Sequence, residues 1–96
     1  MHLTNAQTRH LRGLAHHLKP VLQIGDKGIT PALLNELDQV LNDHELIKVS
    51  IAGADRETRR ELTQELCQQA QCQLVQIIGR ISVLYRRANP PAILLP

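Results

Sequence analysis

The segment Gly25-Asp26-Lys27-Gly28 has the clearest chemical potential in this sequence. It lies between a short apolar run at 21–24 and Thr30-Pro31, a residue pair typical of a helix start. Glycines let a backbone approach a ligand closely, a helix start presents unpaired N–H groups, and Lys27 adds a positive charge. These properties suit a phosphate of a nucleic-acid backbone. The alternative is a tight turn that needs glycine for its conformation alone.

A basic stripe near the N-terminus is a second candidate for phosphate contact. Arg9, Arg12 and His16 recur at helical spacing, and Lys19 follows them. Residues 1–25 contain no acid, whereas exposed helix faces usually mix both signs of charge. The alternative is an ordinary solvated helix face.

Three arginines near the C-terminus are the third candidate. Arg80 lies in a predicted hairpin turn, and Arg86 and Arg87 end the last predicted strand. They could flank a bound nucleic acid, or they could instead protect an exposed edge strand from further pairing. Tyr85 could stack on one base, although a packed ring with a solvated hydroxyl is the more common arrangement.

Other charged and thiol groups are interpreted as structural. In residues 56–61 arginines interleave with glutamates, which favours a solvated helix face held by salt bridges. Cys67 and Cys72 lack further ligands at zinc-type spacing, and Cys67 falls near the buried stripe of a predicted helix. Asp43-His44-Glu45 has no accompanying nucleophile. We therefore expect no catalysis, no metal, no cofactor and no small-molecule substrate.

Length and composition restrict the class of protein. The chain has 96 residues and 10.8 kDa, which suits one domain over 1–96. It has one Tyr and neither Trp nor Phe, which argues against modules that stack several bases on aromatic rings. No apolar run approaches the roughly 18 residues of a membrane span. The N-terminus lacks a secretory core, and two cysteines form no disulfide framework, so we expect a cytoplasmic protein.

The charge is unevenly distributed along the chain. Residues 1–30 hold four Lys or Arg against one acid, and residues 71–96 hold three Arg and no acid. Residues 31–70 hold four Lys or Arg against eight acids. If the two ends of the chain meet in space, the fold has one basic pole suited to a polyanion and one acidic flank.

Capping residues, apolar spacing and chain-breaking residues predict seven elements. These are helices at about 5–18, 31–43 and 56–70 and strands at 21–24, 46–52, 74–78 and 81–86. In the first helix, Leu11, Leu14, Ala15 and Leu18 make one apolar stripe. The tail 88–96 is irregular at its Pro-Pro pair, and we expect its Ile-Leu-Leu segment to pack back onto the domain.

The element order predicts a single α/β domain with a four-stranded mixed sheet and helices packed on it. Two strand–helix–strand units predict parallel pairings, and Gly79-Arg80 predicts a two-residue turn in a final antiparallel hairpin. The loop with two glycines falls between the first strand and the second helix.

Three blocks carry a resemblance to a known family. They are LRGLAHHLKPVLQIGDKGIT at 11–30, HELIKV at 44–49 and VQIIGRISVLYR at 75–86. In this order they resemble the CRM domain, named for chloroplast RNA splicing and ribosome maturation, and especially its single-domain bacterial, YhbY-type members. The resemblance covers about residues 3–87, nearly the whole chain.

The resemblance implies a compact RNA-binding α/β fold with a GxxG loop and without catalysis or a cofactor. Bacterial members look like factors associated with precursors of the large ribosomal subunit. By matching positions, the family's loop falls on residues 25–28, its basic surface on the first helix, and its final LYR on residues 84–86. Asp26 departs from the neutral or basic residues common in such loops, and an acid beside a phosphate lowers affinity unless it turns away.

We therefore predict a monomeric RNA-binding protein that contacts large-subunit precursor ribosomal RNA as an assembly factor, with ribosomal proteins as further partners. The residues expected to bind RNA are Arg9, Arg12, Lys19, Gly25, Asp26, Lys27, Gly28, Arg80, Arg86 and Arg87. Binding driven by phosphates should weaken as salt rises. The alternative is a protein-interaction adaptor whose acidic middle segment docks a basic ribosomal protein through Glu36, Asp38, Asp43 and Glu45.

Overall fold

The structure is a computed structural model that describes residues 2–25, 27–53 and 55–96. Its elements are α1 (Asn5–Ala15), β1 (Pro20–Ile24), α2 (Pro31–His44), β2 (Leu46–Ile51), α3 (Arg56–Ala70), β3 (Gln73–Ile78) and β4 (Ile81–Tyr85). The strands form one mixed sheet in the order β1-β2-β4-β3. The predicted α/β fold is confirmed. Within the described residues, no helix has both the length and the apolarity needed to cross a bilayer.

Each helix begins at the predicted capping residue. The side chains of Thr4, Thr30 and Asp55 accept hydrogen bonds from backbone N–H groups of the first turn at 3.1, 3.1 and 2.8 Å. At Asp55, the backbone N–H and the hydroxyl of Thr58 both donate to the carboxylate. These bonds favour the charged form and lower the pKa of Asp55 below its usual value. The caps fix where α2 and α3 begin, and therefore where the preceding loops end.

The sheet differs from the prediction in one pairing. β1 and β2 are parallel neighbours, as expected, with Ile24 opposite Ile51. β3 runs in the same direction as β2 but does not pair with it, because β4 lies between them and is antiparallel to both. Val83, Leu84 and Tyr85 are all 0% exposed. A strand with apolar side chains buried on both faces belongs in the centre of the sheet, which is why β4 takes this place.

The final hairpin is the predicted one. Ile78 pairs with Ile81, so Gly79 and Arg80 form a two-residue turn. Gly79 has φ +57°, a conformation that favours glycine at the first turn position. Arg80 is consequently presented at the tip of the hairpin.

Helices cover both faces of the sheet. α2 and α3 pack on one face, where Leu37, Leu41 and Leu66 are at most 1% exposed. α1 packs on the other face, against β2 and β3. The larger core therefore lies between the sheet and α2 with α3.

The predicted apolar stripe of α1 is only half correct. Leu11 and Ala15 are buried, but Leu14 and Leu18 are 42% and 38% exposed. α1 ends at Ala15, three residues earlier than predicted, so Leu18 no longer continues the helical face. Leu11 and Ala15, one turn apart, provide the contact with the sheet. Leu14 lies outside this contact and is exposed.

The C-terminal tail packs back onto the domain on the side of α1. Ile93 and Leu95 join the core under α1, as predicted, whereas Leu94 is 81% exposed. The Gln7 Nε2 group donates to the Pro96 carbonyl at 3.3 Å. The two ends of the chain therefore meet.

A buried carboxylate also holds the tail. Glu45 ends α2 with φ +60° and is 2% exposed, and its Oε1 accepts a hydrogen bond from the Ala92 backbone N–H. Tyr85 is fully buried, and its hydroxyl is buried with the ring. The expectations that Tyr85 stacks on a base or keeps a solvated hydroxyl are therefore wrong, because β4 is a central strand covered by α1 and the tail.

The burial of Tyr85 predicts a loss of stability in alkali. Burial and the Glu45 carboxylate raise the pKa of Tyr85 above its usual value. Above a pH of about 10, the unfolded chain loses the phenolic proton whereas the folded protein keeps it, so the free energy of unfolding should fall as pH rises. In Tyr85→Phe, the part of this fall in the free energy of unfolding that comes from the phenol should be absent. Denaturant unfolding of both proteins at neutral and alkaline pH measures it, and an equal alkaline loss in the two would contradict the assignment.

Candidate nucleic-acid interface

Three loops meet where the parallel strands end. The Ala52 N–H donates to the Ile24 carbonyl at 2.8 Å, which joins the ends of β1 and β2. The Ile51 N–H donates to the Arg80 carbonyl at 2.7 Å, which joins the end of β2 to the hairpin tip. We call this region the carboxyl edge: the loops 25–30 and 52–55 and the turn 79–80. It brings together loops that are far apart in the sequence.

The loop with two glycines is open to solvent at this edge. Gly25 and Lys27 are exposed, and the Gly28 N–H donates to the Gly25 carbonyl at 3.0 Å. Gly28 has φ +67°, so its conformation itself favours glycine. Gly25 has no such φ, and a Cβ built on it would meet no atom within 4 Å. Packing within the protein therefore gives no reason for glycine at position 25. Asp26, predicted to contact RNA, lies outside the described residues.

The predicted basic residues fall into two groups rather than one pole. Lys27 and Arg80 lie at the carboxyl edge. Arg87 follows the far end of β4, so the length of this strand, roughly 17 Å at the usual rise per residue, separates it from Arg80. Lys19 immediately precedes β1, roughly a strand length from that edge. The ends of the chain do meet, but they meet away from the loop with two glycines.

Arg9, Arg12, Lys19 and Arg87 are all exposed. Arg9 and Arg12 belong to α1, which covers the face of the sheet opposite α2 and α3. Arg87 lines a surface cavity together with Gln7 of α1 and the tail. We call these four residues the α1 basic group. Sequence reasoning could not separate it from the carboxyl edge, because the separation depends on which way each strand runs.

Arg86 was expected to be an exposed residue that contacts RNA, but its guanidinium bonds to other parts of the protein. Its guanidinium donates to the carbonyls of Ala70 and Asp38 and to Asn42 Oδ1, each at 3.0 Å. It also pairs with the Asp38 carboxylate at 2.8 Å. Arg86 therefore joins α2, α3 and the end of β4. Because these bonds engage both Nη atoms, we assign Arg86 to the fold.

A missed group of arginines lies at the carboxyl edge. Arg56, Arg59 and Arg60 occupy the first turns of α3 beside the hairpin. The predicted salt bridges to Glu57 and Glu61 are wrong, since no pair between these residues comes within ion-pair distance. The spacing of the arginines at i, i+3 and i+4 could have revealed that they share one face of α3. Glu57 lies three residues before Arg60, so spacing alone does not account for the missing ion pair.

The acidic middle segment is only partly available to a partner. Glu45 is buried and holds the tail, and Asp38 pairs with Arg86. Glu36 and Asp43 are exposed. Of the four acids proposed for the adaptor alternative, only Glu36 and Asp43 are therefore available to a partner.

The two thiols belong to the core, as predicted for Cys67. Cys67 and Cys72 are 8% and 7% exposed. The Cys72 N–H donates to the Cys67 carbonyl at 3.0 Å, and Gln71 takes the left-handed conformation typical of a helix end. Contact with the Cys72 thiol and burial raise the pKa of Cys67, which disfavours a thiolate nucleophile. Within the described part of the chain, no cluster of three His, Cys, Asp or Glu residues could hold a metal ion.

Known proteins resemble this chain along its whole length. A protein of Pseudomonas aeruginosa named "Probable RNA-binding protein PA4753" is 47% identical over 91 residues, covering 95% of this chain and 88% of that protein. An "RNA-binding protein" of Haemophilus influenzae is 46% identical over 94 residues, covering 98% and 95%. The solution structure of protein SAV1595 from Staphylococcus aureus matches with TM-score 0.86 and 38% identity, covering 99% of this chain and 100% of that one. The CRS1 / YhbY (CRM) domain model matches residues 3–86. The chain therefore belongs to the CRS1/YhbY (CRM) domain family.

Proposed function

We propose that this protein binds RNA at its carboxyl edge, and that the RNA is ribosomal RNA in precursors of the large ribosomal subunit. The observation that carries the proposal is the exposed Lys27 beside two glycines, at the end of a strand and just before α2. The names of the relatives support RNA as the ligand. The resemblance to single-domain bacterial members supports the ribosomal part. The proposed role is binding in the cytoplasm, without catalysis.

The mechanism is neutralisation and close approach of backbone phosphates. Gly25 leaves open space for a phosphate beside the main chain, and Lys27 neutralises part of its charge. Arg80 extends the positive surface to the hairpin. Because Tyr85, which is the only Phe, Tyr or Trp of the sequence, is buried, selection among RNAs would come from RNA shape rather than from stacking on such rings.

The proposed primary contact comprises Gly25, Lys27, Gly28 and Arg80. The α1 basic group is a secondary proposal, since it would contact only an RNA long enough to reach the opposite end of the sheet. Arg86 is left out because its guanidinium is engaged within the protein.

Gradient sedimentation of cell extract tests the proposal. We expect wild-type protein to travel with the large subunit or its precursor, and Lys27→Glu to stay at the top of the gradient. The matched control is Glu36→Lys, which reverses one exposed charge on α2, away from the carboxyl edge. Wild-type protein that does not travel with large-subunit particles would refute the ribosomal proposal.

The same gradient experiment distinguishes RNA binding from the adaptor alternative, in which the protein docks a basic protein. Glu36→Lys combined with Asp43→Lys reverses the two acids that remain exposed, and it should leave sedimentation unchanged if RNA is the partner. Release of this variant, with retention of Lys27→Glu, would favour docking of a basic protein instead.

The two glycines of the loop should respond differently to alanine. Gly28→Ala should lower the free energy of unfolding by about 1 kcal/mol, because a side chain is strained at its positive φ. Gly25→Ala should change stability by less than about 0.5 kcal/mol, since open space surrounds the site. Gly25→Ala should nevertheless weaken RNA binding, because the new methyl group occupies the space proposed for the phosphate. Thermal unfolding and filter binding of the two variants measure these effects. Wild-type RNA affinity in Gly25→Ala would contradict the close approach.

A further inference from the structure

Three arginines line one cavity at the carboxyl edge. Arg56, Arg59 and Arg60 of α3 surround it with Ile77 of β3 and Gly79 of the hairpin, and its volume is about 300 Å³. We call it the arginine cavity. Among the described residues, no carboxylate lines its wall, although Asp55 precedes α3 by one residue. The cavity is therefore a concave surface lined by positive charge.

Arg56 and Arg60 of this cavity have no ion-pair partner among the neighbouring glutamates. They lie one turn apart, a like-charge pair that destabilises an isolated helix. Glu57 and Glu61 pair with none of the three arginines, and the Asp55 carboxylate interacts with Arg59. An anion between Arg56 and Arg60 would relieve their repulsion.

Arg59 is fixed in place by packing. Its Nη1 donates to the Gly53 carbonyl at 3.1 Å, and a Cβ built on Gly53 would lie 2.8 Å from the Arg59 Cγ. The loop thus packs closely on the arginine stem, which leaves no room for a side chain at position 53. The Arg59 Nε is buried and donates to no atom of the described residues.

The arginine cavity and the loop with two glycines lie at the same edge of the sheet. The loop follows β1, and the cavity lies between α3 and the turn after β3. The hydrogen bonds from Ala52 to Ile24 and from Ile51 to Arg80 join these loops. Three strand spacings separate β1 from β3, about 14 Å, a distance that a few nucleotides span.

We propose that the arginine cavity binds a backbone phosphate of the same RNA that contacts the loop with two glycines. This inference rests on the proposed function and extends it by a second phosphate site. A guanidinium presents several N–H donors in one plane and matches phosphate geometry. A phosphate, rather than a stacked base, fits the chemistry because no aromatic ring lines the cavity.

The test is filter binding across a salt series, with transcripts that tile the large-subunit precursor ribosomal RNA as probes. The variant is Arg56→Ala/Arg60→Ala, which keeps Arg59 and its contact with Gly53. The matched control is Arg56→Lys/Arg60→Lys, which changes the same two residues but keeps their positive charges. Circular dichroism confirms that both variants are folded.

For the cavity variant, the slope of log affinity against log salt should become shallower by about 1, since one phosphate contact is lost. The control should change the slope by less than half as much, because its positive charges remain. A slope unchanged from wild type, or equal changes in the variant and the control, would overturn the cavity proposal.

The outcomes separate the two proposals. If wild-type protein binds none of the transcripts, the proposed function fails together with the cavity. If Lys27→Glu weakens binding whereas Arg56→Ala/Arg60→Ala binds like wild type, only the cavity proposal fails.

Discussion

Arg86→Ala is expected to lower the free energy of unfolding by about 2–3 kcal/mol. The Arg86 guanidinium joins three elements through hydrogen bonds to the carbonyls of Ala70 and Asp38 and to Asn42 Oδ1. Its loss removes all three bonds at the junction of α2, α3 and β4, of which the bond to the Ala70 carbonyl is part-buried. The ion pair with Asp38 adds little, because that carboxylate is 61% exposed. Denaturant unfolding measures the change.

Two further variants make this prediction specific. Arg87→Ala removes the neighbouring, exposed arginine and should change stability by less than about 0.5 kcal/mol. Arg86→Lys should recover little stability, because one ammonium cannot reproduce the fork of donors that reaches three acceptors. Equal stability of the Arg86→Ala and Arg87→Ala proteins would show that the junction contributes nothing.

Raising the salt concentration from about 50 to about 200 mM is expected to weaken RNA binding by roughly 30-fold. The magnitude follows from three phosphate contacts, at Lys27, at Arg80 and in the arginine cavity. Three contacts give a slope of log affinity against log salt of about −2 to −3. Filter binding at several salt concentrations gives the slope directly.

The salt slope also distinguishes an arginine that contacts a phosphate from an arginine that serves only the fold. Arg80→Ala should make it shallower by about 1, as expected for one phosphate contact, whereas Arg86→Ala should not change it while the protein remains folded. An affinity that hardly changes with salt in the wild-type protein would contradict a contact made through phosphates.

Local sequence signals were enough to place the loop with two glycines. Thr30 and Pro31 set the start of α2, and Asp55 sets the start of α3, because capping depends on residues one turn apart. The apolar run at 21–24 located β1, and Gly79-Arg80 located the hairpin tip. The main candidate loop and the strands could therefore be predicted without a structure, whereas the place of β3 in the sheet could not.

Long-range contacts set the rest of the site. The bonds from Arg86 to Asp38 and Ala70 join residues 48 and 16 positions apart, and no local pattern indicates them. The length of β4 separates Arg80 from Arg87, which lie beyond its opposite ends, whereas a count of charges along the chain groups them together. The missed arginines of α3, in contrast, did not require long-range contacts to be found. Their spacing was visible in the sequence, but the interleaved glutamates suggested salt bridges that the structure lacks.

An NMR titration of the labelled protein with RNA tests the central claim most directly. The probe is the shortest large-subunit precursor transcript that filter binding retains, and the readout is the backbone amide shift of each residue. The account predicts that the largest shifts occur at the carboxyl edge, at Gly25, Lys27, Gly28, Gly53 and Arg80. Shifts confined to α1 and Arg87, with none at the carboxyl edge, would contradict it and place the RNA at the opposite end of the sheet.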